Sequence, residues 1–158
     1  MSIQPEQAML AAVERAREHM RGKVGGPFGA AIVKDGVLVA VAANSVLGDH
    51  DPTAHAEVNA IRLAGKKLGT HDLSGCELYA TGYPCPMCLS AIIWANIRIV
   101  RYGCEASEAE EIGFRDDFIY RFIEGGRSDA KLIAFGQLEH DECRSLFDEY
   151  RQCCMELY

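Results

Sequence analysis

The stretch FGAAIVKDGVLVAVAA (28–43) contains two apolar runs, 28–33 and 37–43, that are separated by Lys-Asp-Gly. Asp35-Gly36 is typical of a tight hairpin turn, because glycine adopts the positive φ that such a turn requires. We therefore predict that the two runs are adjacent antiparallel strands.

The segments on either side of this hairpin alternate between helical and extended patterns. Apolar residues at steps of three and four predict a helix over 5–21, and Thr53 is a candidate N-cap for a helix that runs to about Leu68. Further on, we predict strands over 77–81, 97–103 and 131–138 and helices over 86–96, 114–123 and 142–154. This order predicts an α/β fold with a five-stranded mixed sheet, in which right-handed crossovers make the later strands parallel.

Length and composition indicate one ordinary globular domain over 1–158, with 49% apolar and 25% charged residues. The net charge of −7 argues against a protein that binds nucleic acid through a basic surface. Seven cysteines, an odd number, argue against a disulfide framework. The first 20 residues mix acids and bases and do not look like a signal peptide, so we expect a cytoplasmic protein without a membrane span.

Two short segments suggest a metal site. Cys85 and Cys88 in TGYPCPMC (81–88) taken alone fit a redox pair, a zinc site or neither. His55 in DPTAHAEVNA (51–60) favours zinc, since both segments open predicted helices that follow strands. A set of one histidine and two cysteines leaves one tetrahedral position open, which is typical of catalytic zinc.

Glu57 follows His55 by two residues and therefore does not share its helix face. At a helix N-terminus its carboxylate can still reach the open metal position and carry a proton. The alternative is a solvated acid in the first turn, which helices favour. Among the other cysteines, Cys76 and Cys104 are predicted to be small buried thiols, and Cys143, Cys153 and Cys154 to be surface or packing thiols.

HAE (55–57) and PCPMC (84–88) together resemble the H-x-E…P-C-x-x-C signature of the cytidine-deaminase superfamily of zinc deaminases. The resemblance implies a three-layer α/β/α sandwich and a Zn²⁺ cofactor that is held by His55, Cys85 and Cys88. It also implies hydrolytic deamination, in which a zinc-bound hydroxide attacks an amine-bearing ring carbon and Glu57 is the proton shuttle.

Four segments resemble the bacterial guanine deaminases: GGPFGAAIV (25–33), GDHDPTAHAE (48–57), PCPMCLSAIIWA (84–95) and GFRDDFIY (113–120). This resemblance implies the conversion of the free nucleobase guanine to xanthine and ammonia. It implies that Asn44 holds the substrate carbonyl and that Asp116 accepts hydrogen bonds from the ring N–H groups. It also implies that Phe28 packs against the purine ring. It also assigns substrate contacts to Ala56 and to Tyr158, the latter through its ring or terminal carboxylate. The alternatives are a core residue for Phe28, a solvated acid for Asp116 and a frayed terminus for Tyr158.

The guanine deaminases and their relatives are expected to have an acid immediately before the proline of the cysteine motif, where this chain has Tyr83. Another amino-heterocycle or a nucleoside therefore stays open as substrate. Deamination of adenosine in transfer RNA is a second alternative, disfavoured by the charge of −7. A non-catalytic zinc-binding domain is a third alternative. Glu57 argues against it, because a domain without catalysis does not need a proton shuttle.

The predicted helix in LSAIIWANI (89–97) is apolar nearly all round, so both of its sides should be covered. One cover is the sheet, and the other is a partner subunit or, alternatively, the predicted helix 114–123 or 142–154. Trp94 would then lie in an interface or a pocket wall. The resemblance implies a homodimer, and one arrangement exchanges the C-terminal segment so that Tyr158 serves the neighbouring site.

Overall fold

The computed structural model describes residues 2–153 and 157. The chain divides into two compact units, residues 1–116 and 117–158. No helix within the described ranges has the length and apolar character that a membrane span requires.

The described residues of the first unit form nine elements of secondary structure, and most of the predicted elements are confirmed. The hairpin forms as predicted, with positive φ at both Asp35 and Gly36. A short helix after the hairpin and another after the last strand were not predicted. In chain order the elements are α1 (Pro5–Arg21), β1 (Gly29–Lys34), β2 (Val37–Ala43), α2 (Val46–Asp49), α3 (Ala56–Leu68), β3 (Cys76–Gly82), α4 (Pro86–Trp94), β4 (Ile99–Cys104) and α5 (Ala106–Glu111).

The strands form one mixed sheet in the order β2-β1-β3-β4. The strand β1 is antiparallel to both β2 and β3, and β3 is parallel to β4. The prediction that the later strands are parallel is therefore confirmed. The helix α4 connects β3 to β4, as a parallel crossover requires.

Helix α1 covers one face of the sheet. Its small residues Ala8 and Ala12 pack with Ala31 and Val33 of β1. The approach is close, since a Cβ added at Gly29 would lie 2.0 Å from the backbone oxygen of Ala12. Only glycine is compatible with this helix-to-strand distance.

Helices α3 and α4 cover the opposite face. Ala60 of α3 and Ile92 of α4 pack in one cluster with Ile32 of β1 and Leu78 of β3. Because β1 is covered on both faces, its sequence is a continuous apolar run without alternation. These layers confirm the α/β/α sandwich that the resemblance implied.

The predicted N-cap of α3 was wrong. Helix α3 begins after His55, which has extended backbone angles (φ −71°, ψ 155°) and is the N-cap residue. Thr53 instead belongs to a turn, where its backbone N–H and its hydroxyl both donate to Oδ1 of Asp51 at 2.7 Å. Thr53 is the donor in both bonds, whereas the side-chain oxygen of an N-cap residue accepts from backbone N–H groups two or three residues later.

The second unit contains α6 (Asp117–Glu124) and α7 (His140–Gln152). The predicted fifth strand over 131–138 was wrong, because the sheet has four strands among the described residues and this segment has none of the ladder pairing. Its apolar side chains stay solvent-exposed, including Phe135 (73% exposed) and Leu138. A β-like pattern shows that a segment fits a pleated surface, but a strand also needs a partner edge.

Candidate metal centre and substrate cavity

The residues that the sequence analysis assigned to the metal and substrate sites lie at one edge of the sheet, where strands begin or end. Gly29, at the start of β1, pairs with Ala43 at the end of β2. The neighbouring Ala30 pairs with Ala80 near the end of β3. Phe28, Asn44 and the cysteine motif after β3 therefore emerge at the same edge of the sheet, beside the N-termini of α3 and α4.

At this edge the side chains of His55, Cys85 and Cys88 converge, with their donor atoms all within 4.8 Å of one another. Nδ1 of His55 lies 3.6 Å from Sγ of Cys85 and 3.5 Å from Sγ of Cys88. Zinc bonds of about 2.1 Å to nitrogen and 2.3 Å to sulfur, at a tetrahedral angle, place those atoms about 3.5 Å apart. The donor set and its spacing therefore fit zinc.

Helix starts position all three of these residues. His55 is the N-cap residue of α3 and Cys85 that of α4, while Cys88 lies in the first turn of α4, after Pro86 at its first position. A hydrogen bond from the Cys88 thiol lowers the pKa of Cys85 to about 4, and donating that bond raises the pKa of Cys88. The hydrogen bond to Cys85 also raises the pKa of His55. The cluster thus favours a thiolate, which is the form that binds metal.

Glu57 is buried, with 8% of its surface exposed, and lines the same cavity as His55 and Cys85. It is therefore not the solvated first-turn acid of the alternative interpretation. Burial raises the pKa of its carboxyl. A carboxyl with raised proton affinity beside a metal site is suited to accept and release a proton.

Asn44 is 5% exposed and lines the cavity as well. Its backbone N–H donates to the oxygen of Phe28, and its backbone oxygen contacts Nδ1 of His19 at 3.1 Å. Its side-chain Oδ1 accepts from the backbone N–H groups of Gly26 (3.1 Å) and Val46 (3.2 Å). These bonds fix the orientation of the carboxamide, so the NH₂ group is the part of the side chain that is left to donate to a ligand.

The cavity measures about 670 Å³ and is largely apolar, with a few polar groups, as small-molecule sites usually are. Phe28 packs edge-to-face on Phe114, with ring centroids 4.9 Å apart, so it serves both the core and the cavity wall. Asp116 is half-buried in the lining. The remaining lining residues are Met20, Gly25, Gly26, Pro27, Val46, Leu47, Pro52, Tyr83, Ala106, Ala109 and Arg115.

Tyr83, at the position where an acid was expected, is half-exposed in this lining. Its ring packs edge-to-face on Tyr102 of β4, with centroids 5.0 Å apart. Its backbone N–H donates to the oxygen of Cys104 at 2.8 Å. An aromatic ring therefore lies in the cavity wall at the position where the resemblance had implied an acid.

Other predicted residues lie elsewhere. Ala56 is fully buried in the core cluster and its side chain is absent from the cavity lining. Trp94 is 74% exposed and is not among the residues that line this cavity. Tyr158 lies outside the described residues.

The cysteine predictions have mixed outcomes. Cys76 is a buried thiol as predicted, but the prediction for Cys104 was wrong, because β4 leaves it exposed. Cys143 and Cys153 are exposed, and Cys154 lies outside the described residues.

Sequence reasoning missed one polar residue behind the site. Its side-chain NH₂ group donates to the backbone oxygens of Ala43 and Ala54, and so Asn59 contacts the residues that immediately precede Asn44 and His55. The signal was available, because Asn59 follows His55 by four residues and therefore shares its helix face.

Comparisons with known proteins agree with this geometry. Residues 2–104 match the family model of the cytidine and deoxycytidylate deaminase zinc-binding region. The chain is 47% identical to guanine deaminase of Bacillus subtilis (strain 168) over 140 residues, which cover 89% of each protein. It is 46% identical to the tRNA-specific adenosine deaminase of Aquifex aeolicus (strain VF5) over 90 residues, which cover 57% of this chain and 58% of that protein.

The fold is also that of a solved structure. The X-ray structure of guanine deaminase from Bacillus subtilis superposes with a TM-score of 0.89 at 43% identity and covers 99% of both chains. The resemblance stated from the sequence motifs is thereby confirmed. The chain belongs to the cytidine and deoxycytidylate deaminase family of zinc-binding proteins.

Proposed function

We propose that this protein is a zinc-dependent guanine deaminase that converts guanine and water to xanthine and ammonia. The observation that carries the proposal is the buried carboxyl group of Glu57 in a cavity that His55 and Cys85 also line, where the donor atoms of His55, Cys85 and Cys88 converge. The similarity to a guanine deaminase over 89% of both chains supports this substrate.

His55, Cys85 and Cys88 would hold the zinc ion. When bound, zinc supplies Lewis acidity, which makes water a nucleophile near neutral pH. Because two cysteines and one histidine fill three of the four tetrahedral positions, the fourth would be open to that water.

Glu57 moves the protons of the reaction. A C–O bond forms at the ring carbon that carries the exocyclic amine, and the C–N bond to that amine breaks. A carboxylate oxygen of Glu57 accepts a proton from the attacking water and gives it to the ring nitrogen. It then carries the second proton of that water to the amine, which leaves as ammonia. The burial of Glu57 raises its proton affinity and thereby suits it to both steps.

Asn44 and Asp116 orient the base through opposite hydrogen-bonding roles. The Asn44 NH₂ group donates to the guanine carbonyl, because its Oδ1 is already used by backbone N–H groups. The Asp116 carboxylate accepts from ring N–H groups that adenine lacks or places elsewhere. A site with buried groups for both partners rejects analogues that leave one of them unmatched.

Three further residues complete the proposed substrate site. Phe28 packs against the purine ring from the cavity wall, and the backbone N–H of Ala56 contributes at the start of α3. Tyr158 contributes a further contact to the substrate.

We also propose that the protein is a homodimer. One side of helix α4 is buried, but Leu89, Ile93 and Trp94 of the same helix are exposed. The strand β4 pairs with β3 on one side and with no strand of the described chain on the other. An apolar helix face beside an unpaired strand edge is typical of a surface that another chain covers.

Each chain, residues 1–158, forms one catalytic domain of this dimer. The C-terminal segment of each chain, residues 117–158, is exchanged with that of the partner subunit. The segment 131–138 supports this exchange. Its sequence is strand-like and its apolar side chains are exposed, but it pairs with no strand among the described residues. We place the dimer in the cytoplasm, since the cysteines that the structure describes are unpaired thiols.

A panel of amino-heterocycles with ammonia release as readout tests the proposed activity. We expect guanine to be turned over with a kcat/KM at least about a hundredfold above those of adenine, cytosine, guanosine and adenosine-containing transfer RNA anticodon stems. Preference for a nucleoside or for the RNA would replace guanine with that substrate, and no ammonia from any of them would favour the non-catalytic alternative.

A further inference from the structure

Asn59, in the second turn of α3, has a single NH₂ group surrounded by three oxygen atoms. Its Nδ2 lies 2.9 Å from Oγ of Ser45, 3.0 Å from the backbone oxygen of Ala43 and 3.4 Å from that of Ala54. An NH₂ group has two hydrogens, so the two shorter contacts are full hydrogen bonds and the third is a weaker, shared one.

These three oxygens belong to two segments that carry the ends of the proposed site. Ala43 and Ser45 flank Asn44, which presents its NH₂ group to the cavity. Ala54 immediately precedes His55, the histidine of the metal centre. The two segments also meet directly, since the backbone N–H of Ser45 donates to the oxygen of Ala54 at 3.0 Å.

We infer that Asn59 is a positioning residue that sets the distance between Asn44 and the metal centre. We name its carboxamide, together with Ala43, Ser45 and Ala54, the Asn59 clasp. The inference rests on the proposed function, because it assigns to Asn44 the task of holding the substrate.

The clasp is anchored on the helix side as well. The backbone N–H of Asn59 donates to the oxygen of His55 at 2.9 Å, as the fourth residue after the N-cap of α3 should. Because helical side chains point toward the N-terminus, the Asn59 carboxamide reaches back past His55 to the loop. Main chain and side chain of Asn59 thus contact both segments of the site.

Ser45 extends the clasp and fixes its polarity. Its buried hydroxyl donates to Oδ2 of Asp49 at 2.5 Å and is therefore left to accept from Asn59. The oxygens of Ala43 and Ala54 are acceptors only. The position of Asn59 therefore requires a donor, and an aspartate of the same shape would face three acceptors with a negative charge.

The first experiment measures the clasp without any substrate, by hydrogen exchange of the zinc-loaded protein. In Asn59→Asp, we expect the Ser45 amide to exchange about tenfold faster or more, because its bond to Ala54 lies inside the clasp. The matched control is Asn96→Asp, which places the same new charge beside Asp72, at the other end of the α3–α4 layer. The control should leave Ser45 exchange within about twofold of the parent. Equal exchange of Ser45 in both variants would overturn the inference.

The second experiment is a double-mutant cycle on guanine turnover, with zinc content measured alongside. Asn59→Asp alone should lower kcat/KM about tenfold or more at full zinc occupancy, whereas Asn96→Asp should lower only the melting temperature. If Asn59 acts through Asn44, Asn44→Ala should cost much less in the Asn59→Asp background than in the parent.

The outcomes separate the two proposals. Independent, multiplying costs of Asn44→Ala and Asn59→Asp would overturn the positioning role, as would a fully active Asn59→Asp variant. A parent protein that does not turn over guanine would instead refute the proposed function, and the exchange of the Ser45 amide would still decide whether the clasp exists.

Discussion

Nδ1 of His55 lies 3.5 Å from the sulfur of Cys88, although 33 residues separate them in the chain. The contact joins the starts of α3 and α4, so the metal centre forms only when both helices are packed on the sheet. Metal binding should therefore stabilise the folded protein.

Removal of the metal is the first test of this coupling. We expect one zinc ion per chain, and we expect a strong chelator to abolish ammonia release and lower the melting temperature, with both recovering when zinc is added. Cys88→Ala should behave like the chelated protein, because it removes a buried ligand. Cys143→Ala, which removes an exposed thiol of the second unit, is the control and should bind zinc normally. A Cys88→Ala variant with full zinc content would rule out this ligand set.

Glu57→Gln tests the proton shuttle. The substitution preserves the shape of a buried side chain but removes its ability to exchange a proton, so kcat should fall by about 10²–10⁴-fold. Zinc content and melting temperature should stay close to those of the parent. A loss of less than about tenfold at full zinc occupancy would remove Glu57 from the proton transfer.

Asp116→Ala tests substrate recognition. We expect most guanine deamination to be lost at normal zinc content, because the ring N–H groups lose their acceptor; a loss of about a hundredfold in kcat/KM is reasonable for one charged hydrogen-bond partner. Glu111→Ala, which removes an exposed acid at the end of α5, is the control and should be near normal. Unchanged kinetics in Asp116→Ala would exclude this residue from the site.

Trp94→Asp tests the dimer. Trp94 is among the most exposed large side chains of α4, and a charge there should prevent a partner chain from covering the helix, which sedimentation would detect as a shift from dimer to monomer. Leu10→Asp is a matched control, because Leu10 of α1 is 65% exposed and lies on another surface. A parent protein that sediments as a monomer would contradict the proposal directly.

A complementation experiment distinguishes exchange of the C-terminal segment from a dimer of self-contained chains. Glu57→Gln and a chain that ends before Tyr158 should each be nearly inactive. After co-refolding, an exchanged mixed dimer has one site with both Glu57 and Tyr158, so activity should return. Mixed dimers that are isolated and found inactive would show that each segment serves its own chain.

The pKa of Cys76 gives a prediction for alkaline stability. Burial raises the pKa of this thiol above its usual 9.0, so the folded state keeps a proton that the unfolded state releases. Its contribution to stability is therefore complete below the usual pKa and declines as the pH rises through the folded-state pKa. Cys76→Ala should be less stable at neutral pH but should lose less free energy of unfolding between about pH 8 and pH 10.5, as urea titrations would show. Burial also raises the pKa of Tyr79, but the loss of stability that this causes at high pH is the same in the parent and in the variant. Parallel losses in the two proteins would contradict this assignment.

The sequence by itself determined the local elements and the ligand set. The Asp35-Gly36 turn, the apolar runs beside it and the helical periodicities depend on residues that are close together in the chain, so β1, β2, α1 and α3 were predicted nearly to their ends. Spacing and residue type were enough to single out His55, Cys85 and Cys88 near the starts of two predicted helices, although the cap of α3 itself was wrongly placed at Thr53.

Only the tertiary structure decided the features that depend on what covers a residue. Glu57 is buried rather than solvated, Cys104 is exposed rather than buried, and 131–138 has no strand partner in the described residues. The Asn59 clasp likewise joins segments that no local pattern connects. Burial and strand pairing are properties of two surfaces in contact, whereas a sequence pattern describes only one of them.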